Sequence, residues 1–240
     1  RRTEMLGFFR PPPGQGPERA RIVAASALTV LALLMLMLLI GRPPRQAEVA
    51  PTLLRAERID EFADDVEACR AALDQAGFET QALPDLREGQ RCGYDEAVEL
   101  TLSAHPYSGP VGGACALAAA LALWERDVVA PAALAHLGQP VARIELAGSV
   151  YSCRPIAGRS DRRMSEHARA NAADIGGFTL TDGREIQVLR GWRGRADERA
   201  FLRAVRNGAC AYFQAVLSPD YNAAHRDHLH FDLGRDKMCR

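Results

Sequence analysis

His225-Arg226-Asp227-His228-Leu229-His230-Phe231-Asp232 places three of the chain's six histidines side by side near the end of a 240-residue sequence. Extended backbone alternates its side chains, so His228 and His230 point to one face and Leu229 and Phe231 to the other. Two imidazoles aimed together from a strand that buries two apolar residues form a scaffold for a metal site. Asp232 falls on the same face, where it can accept a hydrogen bond from a ligand histidine. A matching stretch lies upstream, Ser165-Glu166-His167, followed seven residues after the histidine by Asp174.

The intervening patterns place both stretches on or beside a sheet. Val141 to Leu146 alternates as a strand does, as do Ala173 to Leu180 and Glu185 to Leu189. Thr181-Asp182-Gly183-Arg184 between the last two is a hairpin signal. Upstream, Glu57 to Ala76 repeats apolar residues at helical spacing and is closed by Gly77. A short strand follows at Val98 to Leu102. Ala114 to Arg126 is an Ala- and Leu-rich buried helix, and Pro131 opens another that Gly138 closes near Leu137. Glu198 to Val205 and Cys210 to Leu217 also read as helix. The expected fold is α+β: a small antiparallel sheet carrying the metal candidates, flanked by helices.

Hydrophobic residues make up 48% of the chain and charged residues 25%, with a formal net charge of zero. These values describe an ordinary globular protein and offer nothing to nucleic acid. Residues 22–41 carry no charge and span roughly 30 Å as a helix, the thickness of a bilayer core. A cleaved signal has a shorter apolar core, of about 7–15 residues, so an uncleaved anchor is expected. Arg1, Arg2, Arg10, Arg19 and Arg21 precede it, which orients the N-terminus to the cytoplasm. The expected organisation is a disordered cytoplasmic tail (1–20), a transmembrane anchor (21–41), a linker (42–55) and one exported domain (56–240). All six cysteines lie after the anchor and none forms a C-x-x-C pair. In an oxidising compartment they make up to three disulfides, which sequence order pairs as Cys69–Cys92, Cys115–Cys153 and Cys210–Cys239.

A catalytic zinc typically takes three protein ligands from His, Asp or Glu and leaves one position to water. His167, Asp174 and His230 are the candidate ligands. His228 faces the bound water or the developing oxyanion, and Asp227 or His225 orients it or serves as base. His105 and His136 stand alone and read as ordinary core or surface residues.

Ser165-Glu166-His167-Ala168-Arg169-Ala170-Asn171-Ala172-Ala173-Asp174 resembles the S-x-H-x-x-G-x-A-x-D motif of zinc D-Ala-D-Ala peptidases. His228-Leu229-His230 resembles the H-x-H of the wider group that contains lysostaphin, those peptidases and hedgehog proteins. His225-x-x-His228-x-His230 is similar to its peptidoglycan endopeptidases, and Tyr151-Ser152-Cys153-Arg154-Pro155 to a Y-R-P segment ahead of the first ligand. From about Cys69 to Cys239 the chain resembles the bacterial extensin-like C-terminal domain family. That likeness rests also on Cys92-Gly93, Cys115-Ala116-Leu117-Ala118 and the Trp124 helix with Pro131-Ala132-Ala133.

The resemblance implies zinc on His167, Asp174 and His230, with His228 assisting and Arg154 facing the scissile carbonyl or a substrate carboxylate. Ser165, which opens the motif, is carried with Arg154 as a substrate-binding residue. Two departures stand out: Ala170-Asn171-Ala172 replaces the glycine-containing turn, with Asn171 expected to take the left-handed conformation, and Asp227 stands where a Glu is usual. The expected protein is a zinc metallopeptidase, anchored in a bacterial inner membrane with its domain in the periplasm. Its expected activity is hydrolysis of peptidoglycan stem-peptide cross-links by zinc-activated water, as a D,D-endopeptidase or carboxypeptidase. The competing readings are a peptidoglycan-binding or structural zinc module without hydrolysis, and a zinc amidase.

Overall fold

Cys115-Ala-Leu-Ala-Ala-Ala-Leu-Ala-Leu-Trp124 contains no charged or hydrogen-bonding side chain except the Trp124 indole, so a helix built from it has no face for water. In the computed structural model, which describes residues 53–156 and 163–240, all ten residues are buried. The helix Val66–Gln75 packs along one side of it, and the helix Ala196–Ala209 is tied to it by Trp124 Nε1 donating to the Val205 carbonyl. The central helix does not stop at Trp124. It passes through a π turn, Glu125–Val129, directly into the helix Ala130–Leu137. Pro131 has no N–H to give to the preceding turn, and the Ala130 N–H bonds five residues back to Glu125. Gly138 closes this helix with φ of +66°, a conformation that glycine adopts without penalty.

Eleven strands are present among the described residues: β1 (Glu79–Ala82), β2 (Leu86–Glu88), β3 (Cys92–Tyr94), β4 (Val98–Leu102), β5 (Gly112–Gly113), β6 (Val141–Leu146), β7 (Ala172–Leu180), β8 (Glu185–Gln187), β9 (Ala215–Leu217), β10 (Leu229–Asp232) and β11 (Met238–Cys239). The largest sheet runs β11-β9-β10-β7-β6, with β8 paired to the far half of β7; β1-β4-β5 and β2-β3 are separate. All pairings are antiparallel except β11 with β9. The protein is α+β with small, mainly antiparallel sheets.

The alternation read from the His-rich stretch holds for the strand itself. Leu229 and Phe231 are fully buried, and Phe231 stacks on Phe213 and meets Trp124 edge-on. The strand begins at Leu229, however, and His225 ends a 3₁₀ turn. Three further expectations are corrected. Glu57 to Ala76 is not one helix: two 3₁₀ turns precede Val66–Gln75, where the Asp65 carboxylate accepts from the Ala68 N–H and starts the helix afresh. Glu185 to Leu189 leaves the strand after Gln187 and turns into the short helix Val188–Gly191. Cys210 to Leu217 is a turn followed by strand β9, because pairing with both β10 and β11 decides its backbone.

Three disulfides staple the domain: Cys69–Cys115, Cys92–Cys153 and Cys210–Cys239. Only the last agrees with pairing by sequence order. Cys69 and Cys115 sit on adjacent packed helices, which takes both from their nearest neighbours in sequence. Leu54 is fully buried and the Leu53 N–H bonds to the Gln75 side chain, so the packed domain reaches into the segment expected as linker. The expected tail and anchor, residues 1–20 and 21–41, lie outside the described residues. Among those described, no helix is long and apolar enough to cross a membrane.

The π turn buries a carboxylate. Glu125 is inaccessible to solvent and accepts hydrogen bonds from the Tyr107 hydroxyl (2.7 Å) and the His105 N–H (3.1 Å). Burial pushes its carboxyl up to about 7, against the pull of those donors. The folded state therefore holds this proton more tightly than the unfolded chain does, whose reference value is 4.5. Stability from this group is lost as pH rises between those values, by on the order of 3 kcal/mol. Glu125→Gln is expected to flatten the stability profile between about pH 5 and pH 8, measured by urea denaturation. An unchanged slope contradicts the assignment.

Candidate metal centre

The register of β7 and β10 sets Asp174 directly opposite His230. Neighbouring strands in such a pair bring side chains on one face within reach of each other. Asp174 Oδ1 and His230 Nδ1 are 2.8 Å apart. The third residue comes from the 3₁₀ turn Glu166–Arg169 that feeds β7; it places His167 Nε2 3.1 Å from Asp174 Oδ2. One donor atom from each of His167, Asp174 and His230 lies within 4.8 Å of the others, and all three residues are buried. These are the three ligands expected from the sequence.

The turn between His167 and Asp174 is built differently from expectation. Ala170, not Asn171, is left-handed, with φ of +50°. Asn171 is held instead by Glu166, whose backbone carbonyl accepts from its N–H and whose carboxylate accepts from its side-chain amide. The Ala170 carbonyl accepts from the Ala114 N–H across Gly113, where an added Cβ would sit 2.3 Å from that oxygen. The chain crossing therefore requires glycine at 113.

Proton positions follow from the partners. His167 Nδ1 lies 3.0 Å from the Val150 carbonyl, an acceptor only, so Nδ1 carries the hydrogen and Nε2 presents a lone pair. That buried Nε2 has no hydrogen-bond partner although an Asp174 oxygen is 3.1 Å away. A lone pair facing a carboxylate is repulsive unless a cation or proton lies between them. A divalent cation meets that requirement, and two imidazoles with a carboxylate are a donor set that suits zinc.

His230 is held from both ends. Nδ1 meets Asp174 and Nε2 meets Asp232 Oδ2, each at 2.8 Å. Burial alone would lower its pKa, but the two carboxylates outweigh burial and raise it to about 9. Burial likewise pushes the Asp174 carboxyl up, and the two rings, His167 when a proton or cation sits on its Nε2 and His230 through its Nδ1–H, overcome it and hold the group well below the usual carboxylate range. Without a metal, His230 lies as an imidazolium between the Asp174 and Asp232 carboxylates and offsets one of their two charges. Loss of the Nδ1 proton frees that nitrogen for a cation while Nε2–H stays bonded to Asp232. Asp232 is aimed by the Gly234 N–H, which donates to its Oδ1 at 2.8 Å. A Cβ on Gly234 would lie 2.9 Å from the Glu166 side chain and 3.0 Å from Asp232, so the loop approaches as closely as it does only with glycine there.

The centre opens into a cleft of 1780 Å³ lined by His225, His228 and Arg154, among others. Asp227 Oδ1 lies 3.0 Å from His228 Nδ1, which leaves His228 Nε2 turned to the centre, 3.6 Å from Asp174 Oδ1. Arg154 is half exposed, with a guanidinium nitrogen 3.7 Å from Asp174 Oδ2. His225 stands at the rim, its Nδ1 2.8 Å from Asn222 Oδ1 and its ring 5.2 Å from that of His228. Ser165 is buried at the start of the 3₁₀ turn, where its hydroxyl accepts from the His167 N–H. His105 belongs to the Glu125 cluster, its Nδ1 3.0 Å from the Val141 carbonyl, and His136 lies on the helix Ala130–Leu137.

Sequence reasoning missed Glu166, Asn222 and Gly234 as supports of these residues, as well as the Val150 carbonyl. The first three lie within three residues of an expected site residue, which is a usable signal. A backbone acceptor such as Val150 leaves none.

Residues 67–240 match the family model described as Extensin-like protein C-terminus. No curated protein and no solved structure was found to match the chain.

Asp232→Asn is expected to weaken divalent-cation binding by roughly 10–100-fold with the far-UV circular dichroism unchanged. Chelator competition measures it, and an affinity equal to that of the unaltered protein contradicts the orienting role of Asp232.

Proposed function

The chain belongs to the extensin-like protein C-terminus family, and on that premise we propose that it is a zinc-dependent peptidase that hydrolyses stem-peptide cross-links of peptidoglycan as a D,D-endopeptidase. The observation that carries this reading is the His167 Nε2 lone pair, buried without a hydrogen-bond partner against Asp174 and His230. The likeness to lysostaphin-type and D-Ala-D-Ala peptidase motifs supports it. Ala170 occupies the motif's glycine position, and its positive φ accounts for a glycine there in relatives of that pattern. The cleft volume of 1780 Å³ suits a polymer fragment better than a small ligand, whose pockets are typically about 300–1,000 Å³.

His167, Asp174 and His230 would hold the zinc ion, which supplies polarisation of the scissile carbonyl and acidification of water. Asp227 fixes the His228 tautomer with its proton on Nδ1, so Nε2 is the atom that takes a proton near the centre and returns it to the leaving amine. The acid at position 227 thereby acts through His228. Arg154 offers a permanent, forked positive charge to the oxyanion or to a substrate carboxylate. Three disulfides fit an oxidising compartment. With the apolar run 22–41 as anchor, the reading places the domain in the periplasm, facing peptidoglycan.

Incubation of the zinc-loaded protein with cross-linked dimeric muropeptides is expected to release monomers, and chelator is expected to stop it. His228→Ala should lower turnover by about 10²–10⁴-fold, the usual contribution of a general acid–base group, while peptidoglycan binding persists. Persistent binding with no turnover by the unaltered protein would favour the non-catalytic module instead. Release of intact peptides from the sugar strand would mark an amidase.

A further inference from the structure

The hairpin β2–β3 joins neither of the other sheets, and β3 lies against the 3₁₀ turn Glu166–Arg169. Its two three-residue strands pair only with each other. A hairpin that short does not hold its shape alone in water, and Cys92 is its one buried strand residue. The segment that carries Arg154 fastens it further. Cys92 is bonded to Cys153. The Tyr151 hydroxyl donates to Glu88 Oε2 at 2.7 Å, and the Tyr94 and Tyr151 rings meet edge to face at 5.5 Å. Within the hairpin, Gly93 lets the two strands approach: at φ +129° a Cβ there would lie 2.1 Å from the Leu86 carbonyl oxygen of β2.

The opposite side of the same segment is held by backbone. Ser152 N–H donates to the His167 carbonyl, and the Ser165 N–H donates to the Arg154 carbonyl. Arg154 is thus clamped between the ligand-bearing turn and a hairpin that makes no other sheet contact, while its side chain is left half exposed in the cleft. A long guanidinium side chain has much rotamer entropy to lose on being ordered, so a fixed backbone beneath it makes its aim more productive.

We propose that hairpin β2–β3 is the positioning element for Arg154, with Cys92–Cys153 and the Tyr151–Glu88 hydrogen bond as its two fastenings. These residues act through Arg154 and do not touch the substrate. The inference rests on the peptidase reading for its kinetic consequence only. Two of the three ligands, Asp174 and His230, are set by the pairing of β7 with β10, and His167 is held by its own 3₁₀ turn as well as by the Val150 carbonyl, so loosening the hairpin costs the aim of the guanidinium more than the hold on the metal.

The test uses the zinc-loaded protein and three variants: Cys92→Ser with Cys153→Ser, Tyr151→Phe, and Glu88→Gln. Three quantities are read: kcat/KM on a cross-linked muropeptide, zinc affinity by chelator competition, and amide hydrogen exchange across residues 150–156. The double serine variant should lose about tenfold in kcat/KM, exchange faster across 150–156 and bind zinc within about twofold of the unaltered protein. Tyr151→Phe, which keeps the disulfide, should lose about threefold, and Glu88→Gln, which keeps an acceptor, should stay near the unaltered value. The proposal is overturned if exchange across 150–156 is unchanged in both weakened variants, or if zinc affinity falls in step with activity. If the unaltered protein cleaves no muropeptide, the peptidase reading fails, and hydrogen exchange alone then decides whether the hairpin holds Arg154.

Discussion

A carboxylate buried between two imidazoles governs this domain. An ionised Asp174 without partners would be costly in so apolar a setting, and β7 places it there with Ala173 and Ile175 fully buried on either side. The charge is tolerated because β10 sets His230 opposite it and the 3₁₀ turn sets His167 beside it. Each partner is in turn constrained from behind, His167 by the Val150 carbonyl and His230 by Asp232. A proton or a cation is required at the centre of that arrangement, and everything around the cleft follows from keeping it in place.

The apolar half of the fold serves the same end. Phe231, one residue after His230, is anchored by Phe213 and Trp124, and Trp124 is bonded to the backbone of the helix Ala196–Ala209. Cys210–Cys239 ties the end of that helix to β11, beyond β9 in the same sheet. The strand bearing His230 is therefore fixed from its inner face by packing and from its flank by a covalent bond. Binding sites are built most rigidly on such elements, whereas Arg154 lies outside regular structure and depends on hairpin β2–β3.

Period-two alternation made the orientation of Leu229, His230 and Phe231 legible in the sequence, because strand geometry is local. Motif spacing made His167, Asp174 and His230 legible as a set, and the family resemblance agrees with the match over residues 67–240. Long-range features were opaque. Cys69 pairs with Cys115 because two helices pack, and nothing near either cysteine announces it. Residues 210–217 carry apolar side chains that suit a helix or a strand, and the partners β10 and β11 decide between them. The left-handed residue fell on Ala170 because Glu166 occupies the amide of Asn171. Intrinsic preference favoured Asn171, and contacts overrode it.

The most direct test is a crystal structure of the protein grown with zinc, with anomalous scattering recorded at the zinc edge. The expected result is one peak about 2.0–2.2 Å from His167 Nε2, an Asp174 oxygen and a ring nitrogen of His230, with His230 still bonded to Asp232. Absence of a peak there, or a zinc ion bound elsewhere while His230 remains between its two carboxylates, would contradict the assignment of this cluster as a metal centre.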